Sequence, residues 1–102
     1  MGATKLTTIT ANGDHEIGDS GGGGDITLVV EQTGTGTWTL QGSLEGGAKI
    51  NLQDQGGSTV TGTASAIRNI KLARGTDKRP MALWLNIAGA AGLTLKAYLL
   101  YD

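Results

Sequence analysis

The chain predicts an all-β fold, a single-domain antiparallel β-sandwich or jelly-roll-like barrel of about seven to eight short strands. The first ground is the stretch 37–53, TWTLQGSLEGGAKINLQ, where apolar and polar residues alternate with a period of two. Trp38, Leu40 and Gly42 share one face of the implied strand and Thr37, Thr39 and Gln41 the other. After Leu44-Glu45-Gly46-Gly47 the alternation resumes with Ala48, Ile50 and Leu52. The second ground is composition: 18 glycines supply the positive φ of tight turns, and 14 threonines, branched at Cβ, suit a pleated, half-wet surface. The third is spacing, since turn signals recur about every ten residues while one proline and no long helical period leave little room for helix.

Residues 5–11 (KLTTITA) read as a first strand, ended by Asn12-Gly13, a pair that tolerates positive φ. Residues 15–17 form a short edge segment, and 18–24 (GDSGGGG) a glycine-rich loop. The first 24 residues are thus an N-terminal arm, or an edge strand followed by that loop. Residues 25–32 (DITLVVEQ) are the clearest buried strand, with Ile26, Leu28 and Val30 on one face, and Thr33-Gly34-Thr35-Gly36 turns it back into the Trp38 strand as a hairpin.

Residues 59–65 (TVTGTAS) alternate but are weakly apolar and split by glycine, which leaves their register poorly fixed; they read as an edge strand or an arm lying on a partner. In 66–73 (AIRNIKLA), Ile70 and Leu72 share a face with Arg68, so the reading is strand, with a single helical turn as the alternative. A polar loop, 74–80 (RGTDKRP), follows. Residues 81–87 (MALWLNI) and 93–101 (LTLKAYLLY) then pair across 88–92, the former with apolar residues on both faces, as a central or doubly covered strand has. TGTG at 33–36 and TGTA at 61–64 look alike, but their flanks differ and make this composition, not a repeat.

At 102 residues the chain is one domain, 1–102, with little stability in reserve. Phe is absent and the aromatic residues are Trp38, Trp84, Tyr98 and Tyr101, so the core is built from Leu, Ile, Val and Ala and is thin. With no cysteine and no visible set of metal ligands, oligomerisation or docking on a larger body is the remaining stabiliser. No cofactor is expected. The opening MGATKLTT has neither the basic nor the apolar region of a signal peptide, and no apolar run reaches spanning length, so a soluble protein not exported by a cleaved leader is expected. The net charge of -1 hides a polarity. Residues 1–48 carry six acids against Lys5 alone, and 49–102 carry seven bases against three acids. Either solvated surfaces happen to segregate, or an acidic edge of one copy meets a basic edge of the next.

Asp14-His15-Glu16 is the one place where a histidine adjoins carboxylates, but neighbours on an extended chain point to opposite faces, so the three cannot converge and a solvated turn is expected. No glycine elbow surrounds Ser20, Ser43, Ser58 or Ser65, which argues against a serine nucleophile. The run 18–24 lacks the lysine and helix of a phosphate cradle, and Asp14, Asp19 and Asp25 lack regular calcium-ligand spacing. Arg68, Lys71, Arg74, Lys78 and Arg79 form a basic cluster. Without interleaved aromatic residues, and at a pI of about 5.7, it fits an acidic protein surface better than nucleic acid. Trp38 reads as core. Trp84, whose face also carries Ala82 and Asn86, is open between core and a platform that stacks on sugar C–H groups.

The succession DITLVVEQ, TGTGTWTLQGSLEGG, a basic strand near Arg68 and a closing LTLKAYLLYD resembles small β-rich structural proteins of tailed bacteriophages. A strand ending in a QGSLDGG-like turn recurs in that group, here as 41–47 with Glu45 in place of aspartate. Over 25–102 the resemblance implies a non-enzymatic virion protein, a capsid decoration (cement) protein or a tail or fibre accessory. The favoured expectation is a decoration protein on the capsid exterior, assembled in the host cytoplasm. It would bind the major capsid protein as a homo-oligomer, with a trimer favoured and neither nucleic acid nor membrane as partner. Arg68, Lys71, Arg74, Lys78, Arg79 and Trp84 are its candidate partner-binding residues. The alternative is a tail or fibre module that binds host-surface carbohydrate through Trp84 or Tyr101.

Overall fold

A computed structural model describes residues 2–3, 7–21, 26–44, 46–71 and 80–101, of which 2, 3 and 101 by backbone alone. The described residues contain no helix. The strands are β1 (Gly2–Ala3), β2 (Thr7–Ile9), β3 (Gly13–Asp19), β4 (Ile26–Ser43), β5 (Ile50–Asn51), β6 (Gln53–Asp54), β7 (Thr61–Gly62), β8 (Ala66–Lys71) and β9 (Ala82–Tyr101). Every pairing is antiparallel, in one open sheet of order β1-β9-β4-β8-β6. β2 and β3 lie beside β9, and β5 and β7 beside β4. The all-β, antiparallel, single-sandwich expectation holds.

The strand lengths differ from expectation, for a physical reason. β4 has 18 residues and β9 has 20, and they zip together from Ile26↔Tyr101 to Ser43↔Ala82. The chain therefore does not reverse at 33–36 or at 88–92, and the two hairpins expected there do not form. Fully extended, β9 would span about 65 Å. The molecule measures 41 × 28 × 25 Å, so the long strands must bend. The register shifts between Thr33 and Thr37 mark the place, where Gly34 (φ 83) in β4 approaches Gly92 (φ 60) in β9, with Gly89 (φ 66) three residues before it. Positive φ at glycine can make a hairpin turn or a bulge that redirects a strand. Here a partner strand runs on through the bend and selects the bulge.

Bending at one level folds the sheet into two halves. The first holds the N-terminal part of β4 and the C-terminal part of β9, with β2 and β8 on its flanks; the second holds the other ends of β4 and β9 with β3, β5 and β7. Ile9, Ile26, Leu28, Val30, Ile70, Leu95, Ala97 and Leu99 of the first meet Ile17, Trp38, Leu40, Val60, Leu83, Leu85 and Ile87 of the second in one buried cluster. A sandwich with a thin aliphatic core and a single buried tryptophan results, and the outer surfaces of its halves face away from each other.

Several local expectations are settled here. Trp38, Leu40 and Gly42 are buried as the alternation requires, and β5 pairs back on β4 (Gln41↔Asn51). Gly47 N donates to Leu44 O at 2.8 Å, closing the turn between them. Ile50, however, is 64% exposed, because β5 lies at the sheet edge. Asn12-Gly13 does not close a hairpin: β2 and β3 follow one another along β9, and Asn12 Oδ1 accepts the Ala90 amide at 2.8 Å. Asp14-His15-Glu16 lies inside β3 and not in a turn. The start of the glycine-rich run is also structured, since Gly18 and Asp19 belong to β3 and the buried Ser20 Oγ accepts the Met81 amide at 2.8 Å. Residues 22–25 lie outside the described residues.

The 59–65 segment closes onto its own chain. Val60 is fully buried, its carbonyl accepts Leu40 N at 2.8 Å, and β7 pairs with Trp38 and Thr39. It is the expected edge strand rather than an arm on a partner.

Candidate functional site

Alternation along β4, β8 and β9 sends every second side chain outward, so the exposed surface of each half is fixed by the register. On the first half, Ile67, Val29 and Tyr98 lie directly opposite one another across three strands, with Asn69, Thr27 and Leu100 in the next row but one residue pair along. Ile67 is 71% exposed, and Val29, Tyr98 and Leu100 are half-buried. Solvent-facing positions of an antiparallel sheet are normally polar, and a contiguous apolar row there marks an interaction surface. The sequence held the signal: Val29 and Ile67 fall out of phase with their strands' buried residues, but only the register brings them together.

Toward the bend this surface becomes polar. Glu31, Gln32, Thr33, Ser65, Thr94 and Lys96 line an open groove of about 260 Å³. Glu31 and Lys96 are ladder partners that form no ion pair among the described residues. Instead the Tyr98 hydroxyl donates to Glu31 Oε1 at 3.4 Å, and the Glu31 charge, followed by partial burial, raises the phenol above its ordinary value.

Arg68, counted from sequence as part of a free basic cluster, is committed within its own chain. It sits on β8 with its guanidinium against Asp54 Oδ2 and donating to Thr61 O at 3.2 Å and Thr59 O at 3.3 Å. Asp54 Oδ1 in turn accepts Gly56 N at 2.9 Å and Ser58 N at 3.0 Å. An aspartate whose side chain bonds the backbone two and four residues on fixes a turn, and one charge-assisted hydrogen bond from Arg68 Nη2 ties it to β8. The hydrogen bond from Arg68, then that from the Ser58 amide, holds the Asp54 carboxyl below its usual range. This clamp draws the 52–60 loop across, so that β6 pairs with β8 and covers part of its edge. Lys71 is exposed at the end of β8. Arg74, Lys78 and Arg79 lie outside the described residues.

The outer surface of the second half has different chemistry. Trp84, half-buried on β9, stands between Glu16 and Gln41, with Asn51 beyond Gln41; the row one residue pair along runs Asp14, Asn86, Thr39, Thr61. Its indole Nε1 donates to Ser43 Oγ at 3.2 Å, which fixes the ring's setting. Lys49 Nζ lies 4.4 Å from the ring centroid and 3.7 Å from Asp14 Oδ2. A cation on an exposed ring is worth about 0.5–1 kcal/mol and a surface ion pair no more, so Lys49 is lightly held. Asn86 Nδ2 donates to Asp14 Oδ1 at 2.8 Å and Gln41 Nε2 to Asn51 Oδ1 at 3.0 Å. Gln41 Oε1 is covered and receives no hydrogen bond from the described residues.

His15 Nε2 lies 2.9 Å from Ala11 O, and its two acidic neighbours project from the other face of β3. Among the described residues no three His, Cys, Asp or Glu side chains converge as metal ligands. No protein-family model, curated protein or solved structure matches this chain.

Proposed function

We propose that the protein is a non-enzymatic structural subunit of a tailed-bacteriophage virion, a decoration protein that docks on the outside of the capsid as a homo-oligomer, a trimer being the favoured form. The observation that carries this reading is the row Ile67–Val29–Tyr98 on a solvent-facing sheet surface. A thin core with an apolar row left outside suits a protein that completes its burial against other subunits. Lys71, at the end of the same strand as Ile67, adds positive charge beside the row, and the sequence continues with Arg74, Lys78 and Arg79. These would face carboxylates of the major capsid protein, steering an attachment that the apolar row then holds. Arg68 drops out of the docking set because its guanidinium is engaged by Asp54, Thr59 and Thr61 of its own chain.

Particles assembled with Ile67→Asp, or with Arg74→Glu and Arg79→Glu together, provide the test. Ile67 is outside the core, so the isolated variant keeps its circular-dichroism spectrum while its copy number on purified heads falls. Full occupancy of heads by the Ile67→Asp protein rejects the docking row, and full occupancy by the double charge reversal rejects the basic stretch.

A further inference from the structure

We infer that the outer surface around Trp84 is a binding site for neutral glycans, with Lys49 as a removable cover on the indole. The site faces away from the Ile67–Val29–Tyr98 row and stands whether or not that row docks on a capsid.

The indole is pre-set. Its Nε1 bond to Ser43 fixes the ring, and the ring sits on a central strand of a rigid sheet, so little order is lost when a flat ligand stacks on it. An aromatic ring offers its face to the C–H side of a pyranose, whereas planar carboxylates and amides match pairs of adjacent sugar hydroxyls. Glu16 and Gln41 flank Trp84 as ladder partners, and Asp14 and Asn86 follow in the next outward row.

Two further observations narrow the ligand. Gln41 Oε1, beside the ring, has no donor among the described residues; it is covered as it stands, and a turn of the amide toward the ring would let a sugar hydroxyl supply that donor. Asp14 and Glu16 place negative charge at the border, which disfavours sialylated or uronate sugars and leaves neutral ones.

Lys49 occupies the place a sugar ring would take. Its side chain is only partly buried, and its two contacts are of the weak, exposed kind, so the ammonium can swing away and the ring be bared.

The experiment uses a glycan array of neutral and sialylated structures, followed by titration of the best neutral glycan monitored by tryptophan fluorescence. Trp38 is fully buried and Trp84 half-exposed, so a ligand-dependent change reports Trp84. Wild-type protein should bind neutral glycans. Trp84→Ala should weaken binding at least tenfold with the fold retained, and Lys49→Ala should strengthen it about two- to fivefold by removing a competing cation. Gln41→Leu, close in shape but without the acceptor, should weaken it. Binding of no neutral glycan by either wild-type or Lys49→Ala protein, preference for sialylated glycans, or undiminished binding by Trp84→Ala would each overturn the inference. Weaker binding by Lys49→Ala would show the lysine to be a ligand group and overturn its role as a cover.

Discussion

The indole of Trp38 rests against Gly62, its ladder partner on β7, so closely that a β-carbon on that glycine would stand 2.6 Å from Cζ2. The same indole donates from Nε1 to Ala64 O at 3.1 Å, and Thr61 Oγ1 donates to Trp38 O at 2.8 Å. One large buried side chain thus holds the whole 61–64 edge, and it can do so only over a residue with no side chain. Gly62→Ala should therefore cost about 1–3 kcal/mol by overpacking, with a changed near-ultraviolet dichroism from Trp38. Exposed Thr63→Ala, one residue on, serves as the control. Equal thermal midpoints for the two variants would show that the glycine is not needed for the fit.

Gly34 makes a second prediction. Its φ of 83 lies in the left-handed region, and a side chain there would run into the carbonyl of Gly92 on β9. Conformational strain and steric conflict act together, so Gly34→Ala should lose about 2–5 kcal/mol. Gly89→Ala, with positive φ but open space around its Cα, should lose only the strain part. A urea titration in which Gly89→Ala is the more damaging would contradict the close approach of the two strands at the bend.

The Asp54–Arg68 clamp predicts an acid limb in stability. In the unfolded chain Asp54 titrates near 3.8, and in the fold its hydrogen bonds lower that value. Its contribution is complete above the unfolded value and disappears as the pH falls through the lower, folded one. Urea midpoints of wild-type and Asp54→Asn proteins should thus lie apart at pH 7 and converge toward pH 2. A gap that stays constant over that range would mean that the carboxylate charge does not matter. Arg68→Ala should loosen the 54–61 loop as well, seen as faster amide exchange at Gly56 and Ser58, whose amides Asp54 accepts.

Much of the strand content was legible because a sheet with one buried face writes its period into the sequence: Trp38, Leu40, Ile26, Leu28 and Val30 are all buried as their alternation requires. The long strands were not legible. Thr33-Gly34-Thr35-Gly36 has the chemistry of a turn and also that of a bulge, and which one forms depends on a partner strand nearly sixty residues away in the chain. The site residues divide in the same way. Trp84 was visible as an aromatic residue on a strand, sharing a face with Ala82 and Asn86, but that Lys49 covers it and that Glu16 stands beside it follow from the fold alone. That Arg68 is tied to Asp54 was not legible, because Asp54 lies fourteen positions earlier, in a turn whose own signature, aspartate followed by glycines and serine, was readable.

The zipper from Ile26↔Tyr101 to Ser43↔Ala82 joins two segments that lie far apart along the chain. On a ribosome, residues 26–43 emerge long before 82–101, so the edge that β9 will pair with must wait unmatched while β5, β7 and β8 pair on the other side. Such high contact order makes maturation slow, on the order of milliseconds to seconds once residues 82–101 have emerged. A nascent chain left waiting is open to premature association with its siblings, so the yield of native protein should rise at low expression levels and in cells rich in holdase chaperones.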